Sequence, residues 1–318
     1  SVVPMHSRLG PDNGGTMNKL KMLALLIGLL GLISPDVIAA QENGLKIYIS
    51  ADMEGLVGAV TSDQLGPSGF EYQRFRQIMT NEVNAAIEAA REMGATEILI
   101  SDSHGNGENL LIEQLPDDIQ LIRSWPRPLM MMEGIDETFD AVIFIGYHSS
   151  TTNTEGVRAH TISSANLTAI RLNGVEMLEA SINAAIAGDF GVPVVMISGD
   201  DAVVEEAQRV VGDMEGAVVK WALGFHSART LMPEAAYQVI RNHVRAALSR
   251  VEDFEPYILE APIELEISFK NYLPAEVMAY LPNVDRVDAH TIRFIGNDMT
   301  EVSKFIAFTT RYAVDITP

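Results

Sequence analysis

The sequence predicts an α/β fold. The expected architecture is a mixed sheet flanked by helices, with a metal site at the C-terminal ends of its strands and a smaller α+β C-terminal domain. Two observations carry this. Apolar runs of strand length alternate with stretches whose apolar residues recur at helical spacing, as strand–helix units require. Three of the apolar runs also break off into acids or histidines, and open α/β sheets gather their ligands outside the carboxyl ends of their strands.

The first of these runs is Leu45–Ser50, which leads into Asp52-Met53-Glu54-Gly55. If the extended backbone continues past the strand, Asp52 and Glu54 point to one side, and Gly55 lets the chain turn away. Taken alone, Asp-x-Glu is an ordinary solvated loop. Crowded together at a strand end, two carboxylates call for a cation or a proton between them. Glu71–Met93 carries Ile78, Met79, Val83, Ala86 and Ile87 on one helical face and stops at Gly94. A second strand, Thr96–Ile100, leads into Ser101-Asp102-Ser103-His104, and a third, Ala141–Ile145, into Gly146-Tyr147-His148. A lone histidine after a strand is ordinary loop chemistry. Asp, Glu and two His at three strand ends suit a divalent metal such as zinc.

Further along, Thr168–Leu172 and Val175–Met177 flank Asn173-Gly174, a hairpin turn signal. A helix over about 179–187 places Glu179 in its first turn. Pro193–Ile197 is another buried strand, followed by Asp200-Asp201, a pair suited to capping a helix or to shaping a pocket. After Glu215 the texture changes. A strand at Ala217–Leu223, a helix at Pro233–Val251, strands at Pro262–Phe269 and Val284–Phe294, and a helix at Met299–Tyr312 make up the smaller domain. Of its histidines, His243 lies in a charged helix, and His226 is the one that could reach a shared site.

The N-terminus reads as a leader. Met17–Lys21 is basic, Met22–Ile33 is an apolar run too short to span a bilayer comfortably, Ser34-Pro35 breaks it, and Val37–Ala40 offers a small-residue cleavage site before Gln41. The expected organisation is an upstream or cloning remnant at 1–16, a signal peptide at 17–40, a catalytic domain at 41–214 and the smaller domain at 215–318. Export to the periplasm or medium follows, with cleavage near Ala40 and no stable membrane anchor afterwards.

Composition narrows the chemistry. The chain has 318 residues and no cysteine, which removes disulfides, thiolate ligands and Cys nucleophiles. Any metal must therefore be held by His and carboxylate. A formal net charge of −21 argues against nucleic acid or an anionic membrane surface as a partner.

Asp52-Met53-Glu54-Gly55, Ser101-Asp102-Ser103-His104, Gly146-Tyr147-His148, His160 after Gly156-Val157, and Glu179 before Ala180-Ser181-Ile182-Asn183 together resemble the M55 metallopeptidases, the D-aminopeptidase family. The resemblance runs from about Lys46 to the C-terminus. It implies two Zn2+ per chain on a mixed α/β scaffold, with Asp52 bridging both ions and Glu54, His104, His148 and Glu179 as the remaining ligands. It also implies that His160 is a catalytic histidine outside the ligand set. The loop between His148 and His160 is a residue longer than the family pattern leads one to expect, which bears on its path and not on the identity of His160.

The activity implied is zinc-dependent release of N-terminal D-amino acids, such as D-Ala, from short peptides or amides by metal-activated water, with a free substrate N-terminus. A homo-oligomer is implied too, a decamer of stacked pentamers. Two other readings stand beside this one. A di-metal amidase or phosphoesterase on a non-peptide substrate would want cationic residues near the metals, for which Arg123 and Arg158 are candidates. A non-catalytic exported binding protein would not need five potential ligands and a further histidine.

Overall fold

The computed structural model describes residues 44–312. The expected leader at 17–40 and the segment 1–16 lie outside the described residues. Seven strands form the main sheet: β1 (Leu45–Ala51), β2 (Ala95–Asp102), β3 (Gln120–Ile122), β4 (Ala141–Tyr147), β7 (Val194–Asp200), β8 (Glu215–Gly224) and β9 (Ser227–Thr230). They lie in the order β3-β2-β1-β4-β7-β8-β9. All neighbours pair in parallel except β8 and β9, which pair antiparallel. The central strands β4 and β7 are buried along their whole length, as continuous apolar runs in a doubly covered parallel sheet must be.

The helices follow from their spacing. In α2 (Tyr72–Glu92), which comes after the short α1 (Ser62–Leu65), Ile78, Met79, Val83, Ala86 and Ile87 are all buried. That face packs on the sheet together with Ala236, Ile240 and Val244 of α5 (Pro233–Leu248), sharing a core with Ile47 and Ile49 of β1. The opposite face of the sheet carries Tyr48, Val142 and Phe144. These share a core with α3 (Glu179–Asp189), α4 (Asp201–Val211) and α7 (Met299–Arg311). The same core takes in a second sheet of order β11-β12-β10-β5-β6. Its strands are β5 (Leu167–Leu172), β6 (Val175–Glu176), β10 (Ile263–Phe269), β11 (Val284–Arg286) and β12 (Thr291–Gly296), all antiparallel.

The strands do not divide at residue 214. β8 and β9 complete the main sheet, while β5 and β6, from the middle of the chain, pair with β10 in the second sheet. The segment at 284–294 is two strands, β11 and β12, and a short helix α6 (Tyr272–Met278) lies between β10 and β11. Among the described residues no helix is long and apolar enough to cross a membrane.

Candidate metal centre

The sheet order makes β2, β1 and β4 neighbours, and their registers are level: Ala51 pairs with Asp102 on one side and Ile145 on the other. Asp52, His104 and His148 therefore emerge side by side. Two glycines permit the crossing of the first and third of these turns. A Cβ on Gly55 would lie 2.0 Å from the Tyr147 carbonyl oxygen. A Cβ on Gly146, whose φ is +72°, would lie 2.3 Å from the Asp52 carbonyl oxygen. Gly55 donates its amide to the Gly146 carbonyl at 2.7 Å, which locks the Asp52–Gly55 turn over the end of β4.

Each site histidine has one ring nitrogen on a backbone carbonyl. His104 Nε2 meets the Leu65 carbonyl at 2.6 Å, His148 Nδ1 the Ser149 carbonyl at 3.1 Å, and His160 Nδ1 the Arg158 carbonyl at 2.7 Å. A carbonyl only accepts, so these nitrogens carry the proton and a neutral ring presents a lone pair at the other. That second nitrogen faces carboxylates in every case. His104 Nδ1 stands 3.0 Å from Asp52 Oδ1 and 2.8 Å from Glu54 Oε2. His148 Nε2 stands 3.3 Å from both Asp52 Oδ2 and Glu179 Oε1, and His160 Nε2 stands 3.8 Å from Glu179 Oε1. Asp52 thus turns one oxygen to each half of the cluster.

Asp52 Oδ2, Glu54 Oε2 and His148 Nε2 are buried without a hydrogen-bond partner. They lie close to groups of opposite character yet are misaligned for direct hydrogen bonds. Donor atoms converging on common points rather than on one another are what divalent cations require. Asp52, Glu54 and His148 form one such group, and His148, His160 and Glu179 another, each with donor atoms within 4.8 Å of one another. The donor set of imidazole and carboxylate fits zinc.

The electrostatics express the same demand for positive charge. Burial alone would lower the pKa of His104 and His148, but Glu54 and Asp52 around the first, and Glu179 and Asp52 around the second, lift both well above the ordinary range. Burial would likewise raise Glu54 and Glu179, and the neighbouring histidines hold both below the usual carboxylate range instead. His160 differs. Burial and the charge of His148 push its pKa down, outweighing Glu54 and Glu179. Its ring stacks on His148, centroids 4.0 Å apart.

A frame of buried polar residues fixes the loops. Asp102 accepts the amides of Asn109 (2.6 Å) and Leu110 (2.8 Å), and Asn109 donates to the His104 carbonyl. Glu206 accepts from Ser150 and Asn153 at the start of the loop to His160. Asp200 caps α4 by accepting the Val203 amide, and it also accepts the Val157 amide, tying that loop to the sheet. Glu179 opens α3 and accepts the Ile162 amide at 2.7 Å. Lys220, fully buried, donates to the carbonyls of Glu54, Leu56 and Ala59.

All six residues singled out from the sequence, Asp52, Glu54, His104, His148, His160 and Glu179, line one cavity of about 350 Å3. His226 does not line it; it is exposed, with its ring edge on Phe225. Arg123 and Arg158 are also absent from its wall. The sequence reading missed Trp125, Met130, Met131, Ile162 and Arg311, which also line that wall.

Comparison with known proteins agrees with this geometry. The profile of peptidase family M55, described as D-aminopeptidase, matches residues 45–308. The chain is 31% identical over 271 residues to a D-aminopeptidase of Bacillus subtilis (strain 168), covering 85% of this chain and 98% of that protein. A solved structure, described as the Zn-dependent D-aminopeptidase DppA from Bacillus subtilis, a self-compartmentalizing protease, superposes with a TM-score of 0.82. It is 30% identical, and the match covers 86% of this chain and 99% of that one. A family match over most of the chain, joined to a carboxylate–histidine cluster at the strand ends, makes this chain a member of the M55 D-aminopeptidase family.

Proposed function

We propose that the protein is a zinc-dependent aminopeptidase that releases N-terminal D-amino acids from short peptides. The observation that carries this is the set of three histidines, each pinned through one nitrogen and facing buried carboxylates through the other. In this reading Asp52, Glu54, His104, His148 and Glu179 would hold two Zn2+ ions, with Asp52 shared between them. The split orientation of Asp52 supports the bridge, one oxygen toward His104 and the other toward His148.

When bound, such an ion pair polarises a carbonyl and lowers the pKa of water toward neutrality. The chain's own residues do the rest. His160 is partly accessible on the cavity wall and its pKa is held down by burial and by His148, so the ring rests neutral and Nε2 offers a lone pair that can take a proton and pass it on. An amide nitrogen leaves only when protonated, and Nε2 is the His160 atom free to carry that proton, because Nδ1 is committed to Arg158. Met130, Met131 and Ile162 give the cavity an apolar side that excludes water around the scissile bond.

The phosphoesterase reading is weaker. Phosphoryl transfer calls for several cationic groups about the phosphate, and Arg311 is the single arginine or lysine on the cavity wall among the described residues. Elemental analysis beside hydrolysis of paired D- and L-alanyl p-nitroanilides tests the proposal. We expect about two zinc per chain and turnover confined largely to the D-substrate. Metal-free protein that hydrolyses either compound at the full rate would defeat the reading.

The proposal extends to location. The segment 17–40 has the layout of a signal peptide, so the mature chain should begin near Gln41 in the periplasm or medium. N-terminal sequencing of protein from its native host decides this, and a cytosolic chain that retains Met17 would contradict it.

A further inference from the structure

The cavity has one positively charged wall that the hydrolytic chemistry does not use. Arg311, in the last turn of α7, lines it together with the six acidic and imidazole residues. Its guanidinium carbon lies 4.1 Å from the centroid of Trp125, and that of Arg127 lies 4.2 Å from the same ring. The ring is held in turn by its Nε1, which donates to the Gly105 carbonyl at 2.9 Å. Stacking of this kind pre-organises a guanidinium without consuming its hydrogen-bond donors.

Arg127 spends its donors on Ser124, Ser101, Asp102 and Ile122. Arg311 makes no ion pair and no hydrogen bond among the described residues. It sits near a second, like-charged guanidinium, and Glu179 is the carboxylate whose charge it feels. An arginine on a strongly acidic chain that is stacked, lines a cavity and has no carboxylate partner among the described residues is a site for an anionic group of a ligand. A short peptide is a zwitterion. Its C-terminal carboxylate matches the planar fork of an arginine. A volume of about 350 Å3 suits a ligand of that size.

We propose that Arg311 binds the C-terminal carboxylate of the substrate, so that the enzyme selects short peptides with a free C-terminus over the same peptides amidated. This rests on the aminopeptidase reading of the metal centre. Arg311 is a specificity residue that acts mainly on KM, because the carboxylate takes no part in the bond changes and is held alike in ground and transition states.

The test compares D-alanyl-D-alanine with its C-terminal amide on the zinc-loaded protein. Wild type should favour the acid by roughly tenfold in kcat/KM, mostly through KM, as expected for a partly exposed ion pair with good geometry. Arg311→Met keeps an apolar side chain on Trp125 and should erase that preference while leaving amide turnover within about twofold; Arg311→Lys should restore part of it. Equal loss on both substrates, or no acid preference in wild type, overturns the proposal. If no D-alanyl compound is hydrolysed, the aminopeptidase reading fails, and calorimetry judges Arg311 separately. The probes are the reduced-amide isostere of D-alanyl-D-alanine and its carboxamide. Tighter binding of the acid that Arg311→Met abolishes upholds the anchor, and equal binding, or none, overturns it.

Discussion

At His104, His148 and His160 a backbone carbonyl takes one ring nitrogen, so the tautomer of each neutral ring is set before any ligand arrives. What separates them is the company of the second nitrogen. His104 and His148 each face two carboxylates within 3.3 Å, whereas His160 faces Glu179 at 3.8 Å and lies where burial and His148 discourage a charge. His160 fits the geometry of a ligand as well as that of an acid–base group, and its variants tell the two apart. His148→Ala should lose metal along with activity, and Asp52→Ala should lose metal from both positions. His160→Ala should keep both ions and its fold, yet lose turnover on the order of 10²–10⁴-fold. Elemental analysis beside steady-state rates reads all three. Metal lost from His160→Ala would make it a ligand, and full metal in Asp52→Ala would rule out the bridge.

At the scale of elements, the loop between β1 and α1 holds Glu54 in place, and two buried ionisable side chains hold the loop. Lys220 of β8 gathers three of its carbonyls, and Glu82 of α2 accepts the Val57 amide through Oε1 at 2.9 Å. Burial pushes Glu82 up to about 7, against the Val57 amide and the charge of Lys220. A carboxyl raised in the folded state keeps its proton while the unfolded chain ionises. Its contribution to stability is therefore full below the unfolded value near 4.5 and falls as pH rises toward 7. Glu82→Gln, which still accepts the Val57 amide, should flatten the stability profile across that window by on the order of 1–3 kcal/mol relative to wild type. Urea denaturation at pH 4.5, 6 and 7.5 measures it, and parallel profiles would show that Glu82 does not titrate there. Sequence periodicity carried the long elements because each buries a regular face: α2 shows its stripe, and β1, β2 and β4 show apolar runs. Asp52, Glu54, His104 and His148 were legible for that reason, since each ends such a run. His160 and Glu179 sit in a loop and at a helix start, where no periodicity marks them, and they came from family resemblance. That the strands do not divide at residue 214 was not legible. Antiparallel pairing of β5 with β10 leaves no local signature some ninety residues away, and β3, β9 and α6 are too short to show a period. Arg311 and Trp125 escaped because their relation to the centre is wholly tertiary.

At the scale of the whole molecule, charge and exposed apolar surface pull in opposite directions. The chain carries a formal charge of −21, which opposes association of like copies. It nonetheless exposes Tyr272, Leu273 and Val277 of α6 together with the nearby Tyr280, and Phe308 and Tyr312 at the end of α7. Large apolar side chains grouped on neighbouring segments are more than a monomer needs to leave in water. The similar Bacillus subtilis structure is described as a self-compartmentalizing protease, and homo-oligomerisation is our expectation for this chain, with a decamer of stacked pentamers as its specific form. Apolar contact supplies an attraction that salt leaves in place, while salt screens the acidic repulsion within about 10 Å at 0.1 M. Assembly should therefore strengthen with ionic strength, and substituting Tyr272 and Tyr280 by Ser should weaken it with little effect on the folding of the protomer, because both side chains are already exposed. Multi-angle light scattering from low to moderate salt reads the mass directly. A rise toward ten protomers that the Tyr272→Ser/Tyr280→Ser variant fails to reach is the expected outcome. A monomer at every salt and protein concentration would remove the oligomer, and an unchanged ring in the variant would place the contact on another face.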